Sequence, residues 1–381
     1  MTDSVNNTAV VSVSPPRIFL SSLQGLRTVA FAAIFLSHTE LGNFGTLGAW
    51  GVSVFFILSG FVMLYSYYDR PCPKPGIAFA YGKIKKLYPL HIVTMAAAAV
   101  YCYFVYGQGI VKILTDMVLH AALIQIWIPN TAYYSTLNGL AWYLAVCAFL
   151  YFAFPFILKR MQRASRKEVT AALAILFILQ ISVSAIAFFF GGEDKSSWFS
   201  MQWITYYCPL TRLIDFALGC CLGWLFLHTE RQALSAPAAG IAQAVTVVAA
   251  AVSCVAYAKG VPFFGGEFIK YALLFTPTTV PLIWLTARGT GWLSRLLNLK
   301  PLVRFAKLTP YTFLIHGVVI RYCRTVISKL AGPVGGYAAG KYIVAFAALI
   351  LTVAAALIWN ALSERVRRFL NQRQDSARRS Q

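Results

Sequence analysis

Ten apolar runs follow one another along the chain, near residues 23–41, 48–67, 88–106, 137–158, 169–190, 208–228, 237–258, 269–287, 311–330 and 341–360. Each is close to the ~20 residues that carry an α-helix across a ~30 Å hydrocarbon core. Lipid offers no hydrogen bonds to a peptide group, so runs of this length must be helices that satisfy their own backbone. With 59% hydrophobic and only 12% charged residues in 381, the chain is far too apolar for an ordinary soluble domain. The expectation is an all-α, polytopic integral membrane protein of about ten transmembrane helices.

Loop charge orients it. The formal charge of +21 could suggest a nucleic-acid partner, but the cations fall between apolar runs, as the positive-inside rule produces. They cluster in residues 70–86, 159–167 and 288–307 and again after Ser363. Ten spans put these clusters and both termini on the cytoplasmic face of the cell inner membrane. Residues 110–128, interrupted by Lys112, Asp116, His120 and Gln125, would place clusters on opposite faces if they crossed, so they are expected not to span. No basic n-region or small-residue cleavage site marks a signal peptide. The eight cysteines lack paired ligand spacing and argue against a disulfide framework or a metal site. The expected organisation is a polar N-terminus over residues 1–19, one membrane domain over 20–362 and a basic tail over 363–381.

The first run carries an arginine and a histidine, Arg27 and His38. Charge at bilayer depth is costly and by default marks function. Eleven residues is within ~20° of whole helical turns, so the two share a face, about 16 Å apart along the axis. A guanidinium offers planar donors to phosphate or carbonyl oxygens, and an imidazole can take a proton from a hydroxyl near neutral pH.

From these residues outward the chain resembles the bacterial acyltransferase-3 membrane family. "LQGLR" before His38 is similar to the opening of its first helix, and "GAWGVSVFFILSGFVM" to its second-helix signature, matched at Val52, Phe55, Phe56, Leu58, Ser59, Gly60 and Phe61. "KKLYPL", "PLTRLIDFALGCCLG", "LTPYTFLIH" and "SERVRR" resemble further family elements in order, with Lys86 where arginine is usual. "AWYLAVCAFLYFAFP" matches at Trp142, Leu144 and Tyr151, while Cys147 stands where the family often has glutamate.

The resemblance implies an acyl-CoA donor, usually acetyl-CoA, used as a substrate with no bound cofactor, and an acceptor hydroxyl on an envelope carbohydrate or glycolipid. It implies His38 as general base or acyl carrier and Arg27 as the group positioning the donor. Lys83, Lys85 and Lys86 would attract the phosphates of CoA, although each also fits an ordinary positive-inside residue. Ser59, Trp142, Tyr151, Tyr311 and His316 are further candidates. Arg212 and Asp215, spaced i,i+3, read equally as a helix-stabilising ion pair. His91, His120 and His228 are assigned no chemistry, and Trp127, Trp142, Trp198 and Trp203 are most simply interface anchors. The rival reading is a transporter of a sugar-like or anionic solute, which the lack of visible repeat symmetry disfavours.

Overall fold

A computed structural model describes residues 18–42, 44–73, 76–229, 234–259, 274–331 and 337–379. Residues 1–17, Lys74 and the opening of the 269–287 run lie outside them. The helices are α1 (Ser21–His38), α2 (Gly45–Tyr67), α3 (Ile77–Ile84), α4 (Tyr88–Phe104), α5 (Ile110–Ala121), α6 (Thr131–Tyr134), α7 (Trp142–Met161), α8 (Arg166–Phe190), α9 (Pro209–His228), α10 (Ala236–Ala258), α11 (Thr276–Ala287), α12 (Trp292–Leu297), α13 (Lys300–Phe305), α14 (Thr309–Ala331) and α15 (Tyr337–Arg379). No strand occurs among the described residues.

Local chemistry sets the boundaries. Pro89, Pro209, Pro277 and Pro301 stand in the first turns of α4, α9, α11 and α13, where a missing N–H costs nothing. Ser165 and Glu168 close a capping box at the start of α8. Leu123, with φ at +58°, follows α5, whose 12 residues reach only about 18 Å. The segment expected not to cross is therefore too short to do so.

Among the described residues, six helices are long and apolar enough to cross a bilayer: those spanning Gly45–Tyr67, Gly139–Met161, Arg166–Phe190, Trp203–His228, Ala236–Ala258 and Gly340–Phe369. The pair α3 and α4, bent by 69°, makes a seventh if it acts as one span. Polar side chains set α1 and α14 apart from these, namely Gln24, Arg27 and His38 in the first and His316, Arg321, Arg324 and Lys329 in the second. The basic residues after Ser363 continue α15 without a break as far as Arg379.

The tightest packing is between α2 and α9. A Cβ added at Gly60 would strike the Phe216 carbonyl, and one at Gly219 would strike that of Ile57. Gly219 and Gly223 form the small-xxx-small pattern that lets membrane helices approach backbone to backbone. Gly219→Leu should therefore reduce monodisperse protein in detergent below a tenth of wild type, because a backbone obstacle cannot rotate away and overpacking here costs about 3 kcal/mol or more. Gly240→Ala in α10, whose new Cβ meets only the Trp292 ring at 3.5 Å, should behave as wild type on the same gel-filtration column.

Hydroxyls fix α1 against its neighbours. Ser22 Oγ donates to the Thr286 carbonyl of α11 at 2.7 Å, and Thr28 Oγ1 to the Leu302 carbonyl of α13 at 2.7 Å. These bonds tie other faces of α1 to α11 and α13, while Arg27 and His38 address α14.

Candidate active site

Arg27 is half-buried and its Nη1 lies 3.3 Å from Gln24 Oε1. It faces a chamber of about 170 Å³ whose wall includes Ser59 from α2, Lys83 from α3, Cys147 and Tyr151 from α7, and Thr309 from α14. Lys83 Nζ donates to Tyr67 Oη at 2.5 Å and sits 4.3 Å from that ring's centre. The chamber thus has two cations at its edge, with neutral hydroxyls and a thiol inside.

His38 lies at the other end of α1. Its Nδ1 is 2.8 Å from the Ile34 carbonyl, and a carbonyl can only accept. Nδ1 therefore carries the proton in the neutral ring, and Nε2 keeps the lone pair. The residue is exposed, and Nε2 is the ring atom left to accept a proton. His316 of α14 is built alike: Nδ1 donates to the Thr312 carbonyl at 3.1 Å, and buried Nε2 has no partner. The two imidazoles meet edge to face with centroids 5.2 Å apart.

An aromatic partition separates this pair from the Arg27 chamber. The Phe313 ring lines the chamber and lies 5.7 Å from His316, while Tyr143 packs 4.8 Å and Phe55 6.2 Å from Phe313. Arg27 and His38 both address α14, at two depths, with one ring layer between.

The structure gathers Arg27, Ser59, Lys83 and Tyr151 at the chamber, and His38 with His316 beyond the partition. Lys85 and Lys86 are exposed in the bend between α3 and α4, off the chamber wall. Tyr311 is buried and also off that wall. Trp142 is buried against Tyr207, Tyr206 and Phe56 at 4.9, 5.2 and 6.0 Å. It is no interface anchor, and neither is buried Trp203, whose indole N–H donates to the Ile126 carbonyl at 3.0 Å. Trp127 and Trp198 are exposed.

Arg212 and Asp215 form a buried ion pair at 2.6 Å. Gln180 of α8 donates to Asp215 at 2.7 Å and to Thr276 of α11 at 3.2 Å, and Arg212 donates to the Thr205 carbonyl at 2.5 Å. This is a three-helix clamp behind the site.

Sequence reasoning passed over Tyr143, although Tyr143, Cys147 and Tyr151 repeat at i, i+4 and i+8 and so line one face of α7. It also passed over Arg321. That guanidinium donates at 2.5 Å to the carbonyl of Leu137, a residue held at φ +48°.

Around α5, Lys112 pairs with buried Asp116, and His120 Nε2 is 3.1 Å from the Tyr133 carbonyl. Burial pushes His120 down to about 4, so it stays neutral and structural at neutral pH. Among the described residues no three His, Cys, Asp or Glu side chains are grouped to hold a metal ion.

An acyltransferase-domain family, Acyl_transf_3, matches residues 20–360. Acyltransferase MdmB of Streptomyces mycarofaciens is 26% identical over 343 residues, which is 85% of this chain and 84% of that protein. Protein 2 in the picA locus of Rhizobium radiobacter is 33% identical over 113 residues, 28% of this chain and 58% of its own length. No solved structure matches the chain. Since the family match takes in every helix that builds the chamber and the histidine pair, the chain belongs to the acyltransferase-3 family and is a membrane acyltransferase.

Proposed function

We propose that this acyltransferase moves an acetyl group from acetyl-CoA, presented on the cytoplasmic side of the inner membrane, to a hydroxyl of a carbohydrate or glycolipid of the cell envelope. In this reading the chain crosses the bilayer ten times with both termini in the cytoplasm, which puts the Ser21 end of α1 inside and the His38 end outside. Arg27 and Lys83 hold the donor at the chamber, and exposed Lys85 and Lys86 draw its phosphates toward it.

His38 Nε2 takes the proton of the acceptor hydroxyl as its oxygen attacks the thioester carbonyl. The C–S bond then breaks, the acyl group stays on the acceptor oxygen, and the CoA sulfur leaves with the proton. Arg27 steadies the donor so that the carbonyl reaches the base across the aromatic partition. The observation that carries this reading is the α1 face that sets Arg27 against the chamber and a tautomer-fixed His38 against α14.

The test is purified protein in nanodiscs with acetyl-CoA radiolabelled on the acetyl group and envelope extract from the native host. Label should enter the extract in an alkali-labile ester, with one CoA thiol released per label. Absence of both label and thiol above the protein-free background sinks the reading.

A further inference from the structure

We propose that the acceptor carries a hydrocarbon chain and that this chain lies in an apolar groove between α1, α13 and α15, ending beside His38. The proposal rests on the acyl-transfer reading above and specifies its substrate class.

The groove has a volume of about 710 Å³. Phe31, Ala32 and Phe35 of α1 form one wall, Leu302 and Phe305 of α13 its floor, and Phe346 of α15 the other wall. Thr28 also lines it, but its hydroxyl is occupied by the Leu302 carbonyl. A ligand resting there meets almost nothing but carbon.

Two features tie the groove to the site. Phe31 and Phe35 are shared walls, since their rings lie 5.6 and 6.0 Å from His316 on the opposite side. The groove also follows α1 from Thr28 to Leu41, just past His38. From Thr28 to His38 is a rise of about 15 Å, half of a ~30 Å hydrocarbon core. A chain lying along it spans one leaflet and brings its polar end level with His38 and with the Glu40–Arg324 ion pair at 3.1 Å.

The groove is continuous with the face of α15 that is turned outward, where Phe346, Ile350 and Leu351 are 68%, 51% and 52% exposed. Lateral access from the bilayer is therefore open. Hydrocarbon gains nothing from the hydrophobic effect on moving from lipid to such a groove. What it gains is packing and a fixed orientation, which delivers the attached hydroxyl to the base. The donor's charged end belongs with Arg27 and Lys83 on the other side of the Phe31 wall, so the groove suits the acceptor.

The experiment uses native-host membranes containing the full-length protein and acetyl-radiolabelled acetyl-CoA, with products passed over a reversed-phase resin. Label should be retained and released only by methanol. Ala32→Trp, which fills the groove, should lower it at least tenfold, and Leu349→Trp from the opposite wall serves if the first variant is not monodisperse. Val29→Trp, on the exposed α1 surface beside the groove, should label as wild type.

Label that flows through the resin unretained overturns the proposal and leaves acyl transfer standing. Retained label undiminished in both groove variants overturns the groove as its site. Loss of label together with a drop in oligomeric state assigns the groove to a second copy of the chain, which also overturns it. No label and no CoA release in wild type is instead the failure of the acyl-transfer reading itself.

Discussion

Replacing His38 with alanine should lower acyl transfer by about 10²–10⁴-fold, the usual contribution of a general base. Thermal stability in detergent should fall by only about 1–2 kcal/mol, because the change removes the ring's hydrogen bond to the Ile34 carbonyl and its contact with His316 but opens no enclosed cavity. The first expectation follows from the Nδ1–H bond to the Ile34 carbonyl at 2.8 Å, which leaves Nε2 as the lone-pair nitrogen. The small size of the second follows from the residue's exposure. Because the vacated space opens outward, added imidazole should restore part of the rate in His38→Ala, a rescue that loss of packing alone would not permit. Radiolabel appearing on wild-type protein before acceptor is added would make His38 an acyl carrier instead of a base. If His38→Ala keeps more than a tenth of its activity while folded His316→Ala is inactive, the assignment fails and the base is His316.

How far such a site can be read from a chain alone depends on which contacts are local. The cofacial placement of Arg27 and His38 follows from helical geometry within α1, and the structure turns both toward α14. The helical runs follow in the same way from apolar length, and the bend between α3 and α4 lies beside Pro89. The chamber is different in kind: Ser59, Lys83, Cys147 and Thr309 come from four further helices, and no single-helix spacing brings them together.

Trp142 and Trp203 show the same limit from the other side. An indole at the end of an apolar run suits a headgroup interface, and here those two are buried because Tyr206, Tyr207 and the Ile126 carbonyl receive them. Those partners are distant in sequence for Trp142 and Trp203 alike. The occupancy of Cys147 is a further case. It replaces a residue type often acidic in the family, and the α7 repeat puts it on one face with Tyr143 and Tyr151, although only the packing of the other helices makes that face a chamber wall. A thiol there brings no negative charge to oppose the CoA phosphates that Arg27 and Lys83 are proposed to receive.

Asp215→Ala is expected to be the most destabilising of the polar substitutions, at about 3–5 kcal/mol, because it leaves the Arg212 guanidinium buried and uncompensated. Arg212 is 1% exposed and Asp215 2%, so water cannot replace the lost carboxylate. The Gln180 amide, which donates to Asp215 and Thr276, would also lose its acceptor on α9, loosening α8 from α9 and α11 together. The double variant Arg212→Met/Asp215→Leu removes both charges and should recover most of that loss, since a buried pair is often no more stabilising than apolar side chains of similar volume. Melting of the three proteins in one detergent, with acyl transfer measured on each, separates structure from chemistry. A structural clamp requires activity to track stability, with the double variant well above the single. A double variant that melts near wild type but transfers no acyl group would move the ion pair from scaffold to reaction, and with it the depth at which the substrate is handled.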